Sequence, residues 1–361
     1  MRRQLSALPR RSYHLARRTR RFVAMERRAR AERAAGRSRP ALLRAGFTSD
    51  RLFLYPGIDD PATRTRYVSD LTTLRYRMFN GKSGELLTQK EVLLEVLAAQ
   101  TDWRLDHGVA QLLGEDDDPS ATLRRSVGDR GVVVVLRSMD SRAPRLLDVA
   151  AEAEPDAIGP PLGRSVLLLL GEDPKAIAAV HGDPLVVRIT TYWGPQEAFV
   201  GHVVAASGGD ALGRGWPVFG AQAQLTLLDT TRATPSGSLR LQRRVDGVLV
   251  TAADPPLSLP TAAVIQRMEE VTRLATRFPN LRAVTWSFLV LGEELRFVDA
   301  SNRLDLPYAQ VFGPLLADPR LLSAYADAGA REARRLRVAS GAGDPVWDVL
   351  ESSDNDNGPP S

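Results

Sequence analysis

Residues Val284 to Leu316 read VTWSFLVLGEELRFVDASNRLDLPYAQVFGPLL, and this stretch decides the predicted fold. Its first part has the two-residue period of a half-buried strand. A tight turn follows at Gly292-Glu293-Glu294, and residues 295–298 resume the strand pattern. The stretch therefore predicts a β-hairpin. The alternating apolar residues of its first strand are Val284, Trp286, Phe288 and Val290.

Two polar side chains follow where the second strand of this hairpin ends. Asp299 and Asn302 carry oxygen atoms of the kind that bind a divalent cation bridging phosphates. One interpretation is therefore a metal-nucleotide site at the rim of a sheet. The alternative is an ordinary polar hairpin end, because short motifs often match by chance.

The rest of the chain predicts an α+β fold with mostly antiparallel sheets, because strands dominate the second half and helices separate them into groups. Apolar periodicity indicates helices from Thr88 to about Gln100, over Ile265–Phe278 and over Tyr325–Arg337. The strand predictions are Arg130–Asp140, Ser165–Leu170, Leu185–Tyr192, Glu197–Ala205, Gln222–Leu228 and Arg240–Val250.

Changes in amino-acid composition along the sequence divide the chain into four regions. Residues 1–45 form a basic arm, and residues 46–125 form a helical or mixed N-terminal subdomain. Residues 126–345 form the main domain, with lobes at about 126–184 and 185–345. Residues 346–361 are expected to be disordered, since they are polar and rich in Asp, Asn, Gly and Pro.

Composition excludes several classes of function. The 361 residues include no cysteine, which removes disulfides, a thiolate nucleophile and Cys-based zinc sites. The four histidines are scattered, and neither a Gly-x-Ser-x-Gly nor an HExxH motif occurs. No apolar run is long enough to cross a bilayer, so no transmembrane segment is predicted. We expect a cytoplasmic protein.

The net charge of +5 conceals a strong asymmetry. Residues 1–44 contain fifteen arginines against Glu26 and Glu32, a balance of +13, so the rest of the chain carries −8. The arm is open to several interpretations: a solvated helix, a contact with an anionic lipid or nucleic-acid surface, or an Arg-rich organelle leader.

Lysine is scarce: Lys82, Lys90 and Lys175 stand against 45 arginines. Lys82 lies in Asn80-Gly81-Lys82-Ser83-Gly84, which is not a phosphate loop because Tyr76 occupies the position of the first glycine. Lys90 lies in the first turn of a predicted helix, where positive charge is unfavourable. Either an anion is held jointly by the helix end and Lys90, or the lysine is solvated.

Two arginines lie on predicted strands. Arg137 ends a run of valines, where a cation suits a nucleotide phosphate, although surface arginines are common. Arg188 lies centrally in Val-Val-Arg-Ile-Thr-Thr, on an otherwise apolar or β-branched face. A cation there needs a partner, which is either a carboxylate of the protein or a bound anion.

Between about Leu86 and Leu322, a series of short segments resembles, in the same order along the chain, the ATP-grasp superfamily. The specific resemblance is to its sugar-transfer associated branch. The segments that carry the resemblance are Gln89-Lys90, the strand ending at Arg137, the strand Leu167–Glu172, Arg188-Ile-Thr190-Thr191, Trp286-Ser287, Asp299-Ala-Ser-Asn302 and Gln310-Val-Phe-Gly313-Pro314-Leu315-Leu316. The resemblance implies a two-lobed architecture that holds ATP between antiparallel sheets.

The resemblance also implies roles for individual residues. Lys90, Arg137 and Glu172 would bind the nucleotide, Arg188 would act in catalysis, and Asp299 and Asn302 would hold Mg²⁺. The implied reaction is ATP-dependent activation of a carboxylate as an acyl phosphate and its transfer to an amine or similar nucleophile. A role in polysaccharide or sugar-related biosynthesis would follow from the branch. The carboxylate and amine substrates are not identified by the sequence.

The sequence also departs from the family pattern. Ser287 replaces an aspartate ligand, Asp299 is shorter than the usual glutamate, and Asn302 lies one residue further along. Arg137 replaces a lysine, and no glycine-rich lid follows it. These departures support an alternative, which is a catalytically inactive relative that acts as a binding or scaffold module.

Overall fold

The computed structural model describes residues 10–31, 39–75, 78–103, 105–112, 119–128, 131–137, 145–148, 163–171, 176, 184–208, 223–244 and 248–340. Glu172, the tail 346–361 and the connection at 151–162 lie outside the described residues. For Arg137 the structure describes the backbone.

The helices are α1 (Arg10–Ala31), α2 (Pro40–Arg44), α3 (Arg51–Leu54), α4 (Pro61–Arg64), α5 (Asp70–Thr73), α6 (Lys90–Gln100), α7 (Pro119–Val127), α8 (Thr261–Arg277), α9 (Leu306–Gln310) and α10 (Pro319–Ser340), with 3-10 turns at Ser83–Thr88 and Leu315–Ala317. The strands are β1 (His107–Leu112), β2 (Val132–Arg137), β3 (Arg145–Asp148), β4 (Gly163–Gly171), β5 (Leu185–Trp193), β6 (Ala198–Ser207), β7 (Gln224–Leu228), β8 (Pro235–Arg243), β9 (Leu249–Ala253), β10 (Ala283–Leu291) and β11 (Glu294–Ser301).

Within the described residues these strands form two antiparallel sheets. The smaller sheet has the order β1-β4-β2-β3, and the larger has the order β11-β10-β5-β6-β7-β8-β9. Every strand pair is antiparallel. The predicted α+β class with mostly antiparallel sheets is therefore confirmed.

One predicted strand is wrong. Arg240–Val250 is not continuous, because the chain reverses between β8 and β9 and Arg243 pairs with Leu249. The sequence at this reversal contains Asp246-Gly247, a typical hairpin dipeptide that the strand prediction passed over. The run of β-prone residues on both sides concealed the turn.

The larger sheet buries one face against helix α8. Trp286 and Phe288 lie on this face, and the ring of Trp103 packs edge-on to both of them. Trp103 also stacks on Phe297, with 5.2 Å between ring centroids, and the Arg267 guanidinium of α8 lies over the Trp103 ring. This aromatic layer keeps the polar residues of the same strands on the opposite face, because side chains alternate along a strand.

Helix α1 packs on the body of the protein, so the described part of the basic arm is not only a solvated helix. Met25 and Ala29 are buried, whereas Leu15 is exposed. The buried Glu26 carboxylate accepts hydrogen bonds from the Ser49 backbone N–H and from the Ser49 hydroxyl, both at 2.8 Å. These bonds fix the helix to the N-terminal subdomain.

The N-terminal subdomain is held to the hairpin region by side chains that bind backbone groups. Asn80 exchanges hydrogen bonds with both backbone groups of Ala283. Gln310 is fully buried; its amide oxygen accepts from the Val68 backbone N–H and its amide nitrogen donates to the Val68 carbonyl. The division into residues 46–125 and 126–345 stays a prediction, and these contacts cross it.

Among the described residues no helix is both long enough and apolar enough to span a membrane.

His202 gives the fold a testable pH dependence. The side chain is 4% exposed on β6, and its Nε2 atom lies 3.2 Å from the Leu304 carbonyl. Burial lowers the pKa of His202 from 6.5 to about 4, so the unfolded chain binds a proton between these values while the folded chain does not. Stability is therefore complete above pH 6.5 and falls as the pH is lowered toward 4, by at most about 3 kcal/mol.

We expect urea unfolding to show this loss of stability between pH 6.5 and 4.5, and the variant His202→Gln to remove most of it. The matched control is His107→Gln, since His107 is exposed. Equal pH dependence in all three proteins would contradict the assignment.

Candidate functional site

A row of polar side chains crosses β5, β10 and β11, the three strands at one edge of the larger sheet. Arg188 of β5 pairs with Ser287 of β10, and Ser287 pairs with Asp299 of β11. Directly paired residues point to the same face, which places these three side chains together, opposite the aromatic layer. Neighbouring strands lie about 4.8 Å apart, so the backbones of Arg188 and Asp299 are separated by about 10 Å.

Lys90 reaches one end of this row from the first turn of α6. Its Nζ atom lies 2.5 Å from Asp299 Oδ1 and donates a second hydrogen bond, of 2.9 Å, to the Ala300 carbonyl. Only 9% of the Lys90 side chain and 13% of the Asp299 side chain are exposed. Lys90 is therefore buried and not solvated, and its anionic partner is a carboxylate of the protein; an anion bound jointly by Lys90 and the helix end stays a prediction.

Arg188 has a carboxylate partner of its own. Its Nε atom lies 3.1 Å from Asp305 Oδ2, and its guanidinium lies 4.7 Å from the centroid of the Tyr308 ring. Arg188 is 4% exposed, so the segment that follows β11 covers it. The expectation that a cation at this position needs a partner is met by Asp305.

Asp305 is the functional candidate that sequence reasoning missed. It has a left-handed backbone, with φ 44°, and it precedes the short helix α9. Burial raises the pKa of its carboxyl group, and the nearby Arg188 guanidinium opposes that effect. A sequence signal existed: Asp305-Leu306-Pro307 has the acidic residue and the early proline of a helix start.

The structure describes fewer contacts for the other predicted site residues. Asn302 follows the end of β11, and its Nδ2 atom would lie 3.4 Å from a Cβ added at Gly84. Arg137 ends β2, where its backbone pairs with Ser165. Neither the Arg137 side chain nor Glu172 belongs to the described part of the chain. The structure thus brings Lys90, Arg188 and Asp299 to the same region. Lys90 contacts Asp299 directly, and Ser287 lies between Asp299 and Arg188 on the sheet.

The described residues do not fit a Mg²⁺ ion in this arrangement. Asp299 is the carboxylate of the row, and its Oδ1 atom is held by the Lys90 ammonium. Across the described ranges, no group of three or more His, Cys, Asp or Glu side chains is arranged to hold a metal. Mg²⁺ is bound by oxygen ligands in near-octahedral geometry, and an ammonium within the ligand set competes with it directly.

No protein-family model and no curated protein sequence matches the chain. Solved structures with a similar fold include D-alanine–D-alanine ligase from Helicobacter pylori, with 9% identity, a TM-score of 0.36 and coverage of 69% of this chain and 61% of the ligase. N5-carboxyaminoimidazole ribonucleotide synthetase from Thermus thermophilus matches with 14% identity, a TM-score of 0.31 and coverage of 62% of this chain and 47% of the synthetase. The ATP-grasp ligase PsnB, solved with a minimal precursor, Mg and ADP, matches with 10% identity, a TM-score of 0.31 and coverage of 67% and 66%.

These similarities are too low to carry a conclusion about activity. The chain also spans less than two thirds of the Helicobacter pylori ligase. The case for a function therefore depends on the residues of this chain.

The Lys90–Asp299 pair can be tested by a double-mutant cycle. Lys90→Met leaves the Asp299 carboxylate buried without a counter-charge, and such a loss costs about 3–5 kcal/mol of unfolding free energy. Asp299→Asn is expected to cost a similar amount, whereas the double variant should recover most of the stability because no buried charge remains.

Urea denaturation of the three variants measures these differences, with Lys82→Met as the control because Lys82 is exposed. Additive losses in the double variant, or an effect of Lys90→Met no larger than that of Lys82→Met, would show that the pair is not the buried interaction described above.

Proposed function

We propose that this chain binds ATP along the polar row and is an ATP-grasp-type protein that activates a carboxylate for transfer to an amine. The observation that carries the proposal is the contact between Lys90 Nζ and Asp299 Oδ1, made by residues 209 positions apart. Arg188 lies in the same row, so two cations and one carboxylate from α6, β5 and β11 meet on one face.

The arrangement suits phosphoryl transfer, in which catalysis is mostly charge placement. In the proposed reaction a carboxylate oxygen of the substrate attacks the γ-phosphorus of ATP. The bond from that phosphorus to the β-phosphate oxygen breaks, ADP leaves, and an acyl phosphate remains. An amine then attacks the acyl carbon, the bond to the phosphate oxygen breaks, inorganic phosphate leaves and the amine loses a proton.

In this proposal Lys90 and Arg188 gain phosphate oxygens as further partners when ATP binds. Each cation is paired with a carboxylate, Asp299 for Lys90 and Asp305 for Arg188, at distances of 2.5 and 3.1 Å. These pairs hold the ammonium and the guanidinium in place before the nucleotide arrives. Phosphate oxygens then join the carboxylates around each cation, so Asp299 and Asp305 keep their counter-charges while the cations bind the transferring group.

Mg²⁺ has no step in this account, because the described residues do not fit it. This arrangement does not support the metal role that the resemblance implied for Asp299 and Asn302, and the nucleotide contacts of Arg137 and Glu172 stay predictions from the resemblance. The cytoplasmic location and the sugar-related role also derive from the sequence alone.

A second candidate is a non-catalytic relative that binds a nucleotide or a partner. The observation that favours it is the balance of charge in the row. Ser287, which is uncharged, lies between Arg188 and Asp299, and Asp299 is already paired with Lys90. A site with one paired carboxylate can retain a nucleotide without promoting its hydrolysis or transfer.

Calorimetric titration of the purified full chain with ATP, in the presence and absence of Mg²⁺, tests the proposal, together with a coupled assay for ADP release. We expect saturable ATP binding and slow ADP release. Binding without any ADP release would favour the non-catalytic candidate. No binding under either condition would reject both nucleotide proposals.

Arg188 should matter more than an exposed lysine for ATP affinity. Arg188→Ala removes a charged hydrogen-bond donor, which is expected to weaken ATP binding at least about tenfold. Lys82→Ala should change it by less than about twofold. Because Arg188→Ala leaves Asp305 unpaired, the double variant Arg188→Ala, Asp305→Ala is measured as well. Equal affinities for all four proteins, with unchanged melting temperatures, would remove Arg188 from the site.

A further inference from the structure

A cavity of about 360 Å³ lies beside the polar row, under helix α1. One stripe of the helix lines it: Arg21, Ala24, Met25 and Arg28. These residues are spaced i, i+3, i+4 and i+7, so they form one face, and the two arginines lie about 10 Å apart along the axis. A helix from the basic arm thus forms one wall of a partly open cavity.

The cavity wall combines positive charge with an apolar floor. Arg75 and Arg303 join the two α1 arginines, and the acidic residue among the described lining residues is Asp305, which pairs with Arg188 and lies close to Arg303. Four arginines from three segments of the chain therefore surround a cavity whose exposed wall is mostly apolar. The apolar contributors are Met25, Leu74, Met78, Phe79, Leu304, Leu306 and Tyr325.

The wall formed by α1 has a fixed position. Met25 is 7% exposed and Ala29 is 4% exposed, and Glu26 binds both the backbone and the hydroxyl of Ser49. Met25 belongs to the cavity stripe and Ala29 lies one turn beyond it, whereas the Glu26 contact fixes another side of the helix. Arg21 and Arg28, which flank Met25, are therefore held at the cavity by the packing of the helix.

We infer that this cavity binds a small organic acid, with its carboxylate or phosphate among the arginines and its apolar part against Met25, Phe79 and Leu304. The volume lies within the range of small-molecule sites, which are mostly apolar with a few placed polar groups. Guanidinium groups bind both kinds of anion, often through two hydrogen bonds at once.

The cavity adjoins the polar row through one segment. Asn302 and Asp305 line it, and Asp305 also contacts Arg188 of the row. A bound acid would therefore lie next to the cations that are proposed to bind phosphate. Its role as the carboxylate substrate rests on the proposed function, whereas its binding does not.

The experiment is calorimetry on the full chain without ATP or Mg²⁺, with four probes: hexanoate, hexyl phosphate, hexanol and inorganic phosphate. Hexanoate or hexyl phosphate should bind saturably, and the stronger of the two identifies the anion. Hexanol and inorganic phosphate, which each lack one half of the ligand, should bind at least tenfold more weakly. Absence of saturable binding by both amphiphilic anions would overturn the inference, as would equal binding of hexanol.

Variants locate the site. Arg21→Gln and Arg303→Gln should each weaken binding of the better probe about tenfold, and Ala24→Trp should abolish it by filling the cavity. The control is Arg273→Gln, an exposed arginine on α8. An equal effect of Arg273→Gln would place the binding elsewhere and overturn the inference. Circular dichroism and melting temperatures confirm that each variant is folded.

ATP titration of the same proteins separates this inference from the proposed function. The cavity inference fails if the acids do not bind, even where ATP binds. The nucleotide proposal fails if ATP does not bind, even where hexanoate does.

Discussion

The contact between Lys90 and Asp299 is the interaction on which the candidate site depends. It joins the first turn of α6 to the last strand of the larger sheet, 209 residues away. A lysine at a helix N-terminus is unfavourable, and a carboxylate removed from water is unfavourable as well. Each residue compensates the other, so neither position is stable unless the N-terminal subdomain and the hairpin are both in place.

Other long-range contacts position the same region. Asn80 binds the backbone of Ala283, and Gln310 binds the backbone of Val68, so the segments on both sides of the site are attached directly to the sheet and to α9. Backbone groups that are buried and paired in this way are costly to release. The polar row therefore has a rigid support, and its charged pairs can accept a phosphate without a change of fold.

The elements with a clear period were predictable. The hairpin over residues 283–301 and helix α6 follow directly from apolar spacing, and the need of Arg188 for a partner follows from its burial on a strand. The identity of the partner could not be predicted, because Asp305 meets Arg188 only after the chain turns at a left-handed residue. Likewise, a protein carboxylate and a bound phosphate satisfy Lys90 equally well by charge, and the fold alone decides between them.

The split of Arg240–Val250 into β8 and β9 was missed for a local reason, since the β-prone residues around Asp246-Gly247 outweighed the turn dipeptide.

The scarcity of lysine allows a direct test of the central claim, which is that Lys90 is held by Asp299 and also contacts phosphate when ATP binds. With ¹⁵N-labelled lysine, the chain gives side-chain ammonium signals from Lys82, Lys90 and Lys175 alone, and Lys90→Arg assigns the one of interest. The account predicts a Lys90 ammonium signal that exchanges slowly with water without nucleotide and shifts when ATP is added, while the Lys82 signal does not move. A Lys90 signal that exchanges rapidly with water, or that is unchanged at saturating ATP, would contradict it.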